Sequence, residues 1–269
     1  MRFDANLSML FTELPLAKRP AAAAAAGFEA AELWWPFETP IPDDAQVDQL
    51  LDRFDEAGVA LIALNFDAGD MAQGDRGLLS LPGERDRFRS NVDVVVEIAD
   101  RTGCQVLNAL YGNRQDGVHP QQHQEIALDN LAYTLPKVDR VGASLVLEAI
   151  NVHENPLYPL NRTADTLAFI ELASQETGYR PKLLYDCYHM QRMEGELTAT
   201  MADVLFQLAH VQVADVPGRN EPGTGEVAFS RVLAALELGG YDRYVGLEYR
   251  PSTSTTESLR WLDDWRTQR

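Results

Sequence analysis

With 269 residues, 45% of them hydrophobic and 24% charged, the chain can bury one large core and is neither a disordered nor a fibrous protein. The 23 Lys+Arg against 41 Asp+Glu leave a formal charge of −18, a field that repels phosphate backbones and anionic membranes, so neither nucleic acid nor a membrane is an expected partner. Cys104 and Cys187 make no disulfide framework and no apolar run approaches the roughly 18 residues of a membrane helix, so a reducing cytoplasm is the expected setting.

Taken in chain order, Met1 to Phe11 alternates apolar and polar residues and predicts a strand ending at Asn6. Lys18, Arg19 and Pro20, then the alanines from Ala21 to Ala26, then Gly27, predict a first helix. From there one phrase recurs, a helical stretch closed by glycine and followed at once by a β-rich run: Ala26-Gly27-Phe28, Ala57-Gly58-Val59, Thr102-Gly103-Cys104, Val141-Gly142-Ala143, Thr177-Gly178-Tyr179 and Gly239-Gly240-Tyr241. Helical stripes run through Val47, Leu50, Leu51 and Phe54, through Phe88, Val92, Val95 and Ala99, and through Leu128, Leu131, Leu135 and Val138, the last with Pro136 as an expected interruption. Ser252 to Thr256 leads into a last helix through Leu259, Leu262 and Trp265.

The strands are short apolar runs such as Val59 to Leu64 and Leu145 to Leu147, the pattern of parallel strands covered on both faces. Eight strand ends can be placed, at Asn6, Glu32, Asn65, Asn108, Glu148, Asp186, Gln212 and Glu248, and each interval between them holds one helix and one strand. That predicts an α/β fold in a single domain over residues 1–269, the closed (β/α)8 TIM barrel. No G-x-G-x-x-G and no P-loop is present, so no nicotinamide or flavin is expected.

All eight ends are polar, and in such barrels the active site lies at the C-terminal ends of the strands. Glu148, Asp186, Gln212 and Glu248 put three carboxylates and one amide oxygen on adjacent staves. Converging carboxylates need a positive charge between them. With oxygen donors alone a divalent metal would be Mg2+ first, or Mn2+. The competing reading is that each carboxylate caps the next helix or pairs with an arginine. His189, three residues beyond Asp186, can overhang the same mouth. His210 is expected to be structural, and His119, His123 and His153 to face solvent. The loop Asp215 to Gly225 sets Arg219 among prolines and glycines, where its two-pronged donor suits a bound carboxylate, or else pairs with Glu221. Trp34, Trp35, Pro36 and Phe37 either wall the pocket from water or pack the interface of a homo-oligomer.

These residues carry a resemblance over nearly the whole length. Ala5-Asn6-Leu7-Ser8-Met9-Leu10-Phe11-Thr12-Glu13, Asp186-Cys187-Tyr188-His189-Met190-Gln191, His210-Val211-Gln212-Val213-Ala214-Asp215 with the following Pro217 to Gly223, and Gly246-Leu247-Glu248-Tyr249-Arg250-Pro251 together resemble the hydroxypyruvate isomerases, within the wider xylose-isomerase-like barrel group. The resemblance implies a divalent metal at Glu148, Asp186, Gln212 and Glu248, with Glu148 and Glu248 as catalytic acid and base. It departs from the family's pattern at Asn220, where histidine is common, and at Arg250, where lysine is common; both touch the substrate end. Related ketose epimerases commonly have histidine at the third metal position, so Gln212 favours the hydroxypyruvate branch.

The implied reaction interconverts hydroxypyruvate and tartronate semialdehyde through an enediolate, with His189 and Arg219 binding the substrate, a small keto acid or keto sugar. Two alternatives stand: an epimerase or isomerase of a larger keto sugar or 2-oxo-tetronate-type sugar acid, and a barrel that binds a sugar acid without turning it over.

Overall fold

The computed structural model describes residues 1–267. Eight parallel strands, β1 (Arg2–Asn6), β2 (Ala30–Leu33), β3 (Ala60–Asn65), β4 (Val106–Asn108), β5 (Ser144–Glu148), β6 (Lys182–Asp186), β7 (Leu208–Val213) and β8 (Tyr244–Leu247), pair in chain order and close through β1 against β8. The expected barrel is therefore the fold. Around it lie the helices α1 (Arg19–Ala25), α2 (Asp44–Ala57), α3 (Arg85–Thr102), α4 (Pro120–Arg140), α5 (Thr163–Thr177), α6 (Cys187–Met193), α7 (Leu197–Val204), α8 (Phe229–Leu238), α9 (Thr255–Ser258) and α10 (Arg260–Thr267).

Local chemistry sets the boundaries. Asp43 and Gln46 form a reciprocal capping box at the start of α2, satisfying two orphan backbone donors. The six helix-closing glycines, Gly27, Gly58, Gly103, Gly142, Gly178 and Gly240, all take the left-handed conformation, with φ between 65° and 85°. α4 departs from expectation, since it runs unbroken through Pro136 to Arg140. Proline costs the helix one hydrogen bond, but Leu131, Leu135 and Val138 are buried on both sides of it, and their packing holds the helix straight through. The last helical region also differs, starting at Thr255 and dividing at Leu259 into α9 and α10. Among the described residues no helix is long and apolar enough to cross a membrane.

The two-residue strand period sorts side chains into layers. Leu145 and Leu147 of β5 and Leu183 and Tyr185 of β6 join the large core between sheet and helices, while Val146 and Leu184 belong to a smaller cluster with Ala30, Ile62, Ala63 and Val106. Glu148 and Asp186 share the face of Val146 and Leu184 and end their strands. Register brings other polar ends level: Asn6 opposite Glu32, Asn65 opposite Asn108, Asp186 opposite Gln212 and Gln212 opposite Gly246.

Candidate active site

At the C-terminal mouth a cavity of about 470 Å³ is lined by Glu148, Glu248, His189 and Arg219, together with Trp34, Arg76 and Arg250 among others. The expected residues come together there. Glu148, Asp186, His189, Gln212 and Glu248 are all no more than 6% exposed. Asp186 and Gln212 do not line the cavity but stand on the two staves between Glu148 and Glu248.

Each carboxylate has one oxygen tied into the scaffold. Glu148 Oε2 accepts from Asn108 Nδ2 at 2.8 Å. Asp186 Oδ1 accepts from the Tyr188 backbone N–H at 2.7 Å, so the residue does cap α6, while its Oδ2 faces Arg219 at 3.3 Å and His189 Nε2 at 3.5 Å. Glu248 Oε1 accepts from Trp34 Nε1 at 2.6 Å and Asn6 Nδ2 at 3.1 Å, and its Oε2 accepts from Arg219 at 2.5 Å. Cap and site are thus two oxygens of one group. Arg219 pairs with Asp186 and Glu248, and Glu221 instead accepts from Ser252. The Arg219 guanidinium also lies over the Tyr188 ring, 5.2 Å from its centroid.

Beneath these groups lies a second buried set, Asp4, Glu32 and His210. His210 Nε2 is 2.5 Å from Glu32 Oε2. Although burial opposes both charges, each holds the other: His210 is raised above its usual range by Glu32, and Glu32 is lowered by His210. The ionised Glu32 can only accept, and its Oε1 takes hydrogen bonds from Asn6 Nδ2 and Gln212 Nε2, each at 2.8 Å. That fixes the Gln212 amide with its nitrogen towards Glu32. Gln212 Oε1 is then buried with no hydrogen-bond partner.

The electrostatics follow from this crowding. Burial, then the charges of Glu248 and Asp186, push the Glu148 carboxyl well above its ordinary value. Burial raises Asp186 as well, against the pull of Arg219. Glu248 is pushed up to about 8 by burial, again against Arg219 and with Asp186 and Glu32 adding to the rise. His189 is driven well below its usual range by burial and by Arg219, so its ring is neutral. Its Nδ1 accepts from the Asn151 side chain at 2.7 Å and backbone N–H at 3.4 Å, which leaves the proton on Nε2.

Donor atoms of Glu148, Asp186 and His189 lie within 4.8 Å of one another, so buried groups able to hold a metal are present. A protonated Nε2 cannot ligate, however, whereas the partnerless Gln212 oxygen can. Three carboxylates and an orphaned amide oxygen are a hard, all-oxygen donor set that fits a divalent cation.

Trp34 lines the cavity and bonds Glu248, so this member of the aromatic run walls the pocket, while Trp35 packs edge-on to Phe37 at 5.0 Å. His119 caps α4 and is exposed, as is His153. His123 corrects the expectation of solvent exposure: it is buried, with Nδ1 2.9 Å from the Ser80 carbonyl and Nε2 accepting from Gln115 N–H at 3.3 Å, two partners that remove any cost of leaving water. Sequence reading missed Arg76, Glu154 and Asn155 at the cavity. The one available signal was the arginine inside Gly74-Asp75-Arg76-Gly77, glycine-flanked as in the Arg219 loop.

Comparison with known proteins shows the family. A family model described as xylose isomerase-like TIM barrel matches residues 20–265. A Streptomyces coelicolor protein provisionally named hydroxypyruvate isomerase is 46% identical over 265 residues, covering 97% of this chain and 95% of its own. The hydroxypyruvate isomerase of Escherichia coli is 35% identical, over 99% of this chain and 100% of its own. The 2-oxo-tetronate isomerase of Haemophilus influenzae is 30% identical, over 98% of this chain and 99% of its own.

Proposed function

The chain belongs to the xylose isomerase-like TIM barrel family and is an isomerase, and from that premise we propose that it interconverts hydroxypyruvate and tartronate semialdehyde. The observation that carries this reading is that Glu148 and Glu248 line one cavity from β5 and from the end of β8, Glu148 with one oxygen free of hydrogen bonds and Glu248 with one oxygen held only by Arg219. Moving a carbonyl between neighbouring carbons needs a proton taken from one carbon and returned to the other. Two facing carboxyl groups, one ionised and one protonated, meet that need. Burial holds both well above the usual carboxylate range, which favours transfer near neutral pH.

In the forward direction one glutamate removes a proton from C3 of hydroxypyruvate, leaving its electron pair on carbon and generating the enediolate. The other glutamic acid delivers a proton to C2. O2 gains the hydroxyl proton that O3 gives up, so the product is the aldehyde with no change of composition. His189 Nε2–H and Arg219 bind substrate oxygens and orient the reacting carbons. Glu148, Asp186, Gln212 and Glu248 would hold Mg2+, or Mn2+ in its place. When bound, such an ion supplies Lewis-acid stabilisation of the developing negative charge.

A second reading has an observation of its own: the cavity exceeds what a three-carbon acid fills, and one relative is a 2-oxo-tetronate isomerase. Two buried, unpaired thiols fit a reducing cytoplasm, which we propose as the setting.

Proton NMR of hydroxypyruvate with the protein in D2O, with Mg2+ or with chelator, tests the proposal. Metal-dependent deuterium incorporation at carbon with formation of tartronate semialdehyde, both lost in Glu248→Gln, is the expected result. Exchange with a four-carbon 2-oxo acid and none with hydroxypyruvate would move the assignment to the second reading.

A further inference from the structure

We propose that Arg76, in the loop after β3, is the residue that holds the substrate carboxylate and so selects keto acids over neutral keto sugars. This rests on the isomerase reading for the identity of the substrate, but not for the existence of the anion site.

The argument starts from charge. Three arginines, Arg76, Arg219 and Arg250, line the cavity. Arg219 is the cation nearest the reacting groups, yet its Nη2 is paired with both Asp186 and Glu248, which balance its charge. Arg250 stands exposed at the rim. Arg76 is half-buried, and its hydrogen bonds go to neutral oxygens: Nε donates to Asn155 Oδ1 at 2.5 Å, and Nη1 donates to the carbonyls of Met71 at 3.1 Å and Asp75 at 2.6 Å. Among the described residues no carboxylate comes within 4.0 Å of it. The two nearby carboxylates are engaged elsewhere. Asp75 Oδ2 accepts from the Asp70 N–H, and Glu154 accepts from Tyr188, Arg192 and Asn151.

In a chain with a formal charge of −18, a half-buried cation at a cavity wall with no carboxylate in direct contact, only the more distant charges of Asp75 and Glu154, is the exception. Arg76 is also held rigidly. Asn155 is buried and is itself tied to the Asn151 carbonyl through its N–H and its Nδ2, each at 3.2 Å. Directly after Arg76, Gly77 sits at φ 104° so close to β4's exit that an added Cβ would lie 2.0 Å from the Leu110 carbonyl oxygen. Three groups thus fix Nε and Nη1 and leave Nη2 for a ligand. The Arg219 charge reaches Arg76, and two like charges facing one cavity favour an anion between them. An arginine pre-set in this way suits the planar carboxylate that distinguishes hydroxypyruvate and 2-oxo-tetronates from neutral ketoses.

Isothermal titration of the Mg2+-loaded protein with D-glycerate, a three-carbon hydroxy acid with no carbonyl to isomerise, tests this without relying on turnover. Wild type should bind glycerate, Arg76→Gln should bind it about 10- to 100-fold more weakly, and Arg76→Lys should fall between. Mn2+ affinity should be the same in all three, because Arg76 touches none of the candidate metal ligands. With hydroxypyruvate, Arg76→Gln should raise KM by at least about tenfold and change kcat by less than about threefold, as expected when binding common to ground and transition states is lost. Failure of wild type to bind glycerate, unaltered glycerate affinity in Arg76→Gln, or an equal loss of Mn2+ affinity would overturn the assignment. If glycerate binding depends on Arg76 while hydroxypyruvate is not isomerised, Arg76 keeps its role and the substrate reading falls. Isomerisation with glycerate affinity unchanged in Arg76→Gln gives the reverse.

Discussion

Glu32 decides which way the Gln212 amide faces. As an acceptor-only anion it draws the nitrogen, and the oxygen is left for the candidate metal site. Replacing it with glutamine supplies a competing donor, so Glu32→Gln should weaken Mn2+ binding, followed by electron paramagnetic resonance, by about 10- to 100-fold. An unchanged affinity would mean that Gln212 is not oriented in this way. The cysteines make a contrasting case. Burial pushes Cys104 up to about 12 and raises Cys187 well above its ordinary value, so neither should react with a thiol reagent in the folded protein, and both should react in denaturant. At this scale the sequence was legible where function follows position, since an acid ending a strand is placed by the strand itself. Arg76 and Asn155 lie on loops, whose path depends on distant packing, and His123 was misread because no local pattern announces the Ser80 carbonyl awaiting it.

Among the elements, the loop after β7 shows how a flexible-looking segment is made stiff. The Asp215 carboxylate accepts the N–H groups of Val216 at 2.9 Å and Val227 at 3.0 Å on one oxygen, and of Gly223 at 2.9 Å and Gly225 at 2.8 Å on the other. The chain folded around that carboxylate presents Arg219 in the left-handed region, at φ 57°. Asp215→Ala should loosen the loop and raise KM for the substrate, while Mn2+ affinity stays within about threefold of wild type. On β8, Gly246 leaves room for the buried pair beneath the site: an added Cβ would fall 2.8 Å and 2.9 Å from the Glu32 oxygens and 2.9 Å from His210 Nε2. Gly246→Ala should therefore cost about 1–3 kcal/mol in urea unfolding, a typical penalty for overpacking. The helix-ending glycines could be read from sequence because left-handed geometry is a local demand. Gly246 could not, because what it avoids comes from β2 and β7.

For the whole molecule, the grouped carboxyls tie stability to pH and to metal. Glu248 is raised from an ordinary value near 4.5 to about 8, so the folded chain binds more protons than the unfolded one between those limits. In chelator its stabilising contribution is complete below pH 4.5 and is lost as pH rises towards about 8. Melting temperatures measured across that range should fall with chelator and be restored by Mg2+, most strongly at the alkaline end, and metal binding near pH 7 should release protons. A flat metal-free profile would show that the carboxyls are ionised throughout.

The hydrogen bonds of Asn6 reach Glu32 on β2 in one direction and Glu248, just beyond β8, in the other. They span the seam where the first stave meets the last. On a ribosome, most of the barrel is synthesised before Glu248 exists, and until that residue emerges the constellation is missing one of its two proposed proton carriers. On the proposed mechanism, the nascent chain therefore has no means of acting on substrate as it grows, and competence arrives only with closure of the ring.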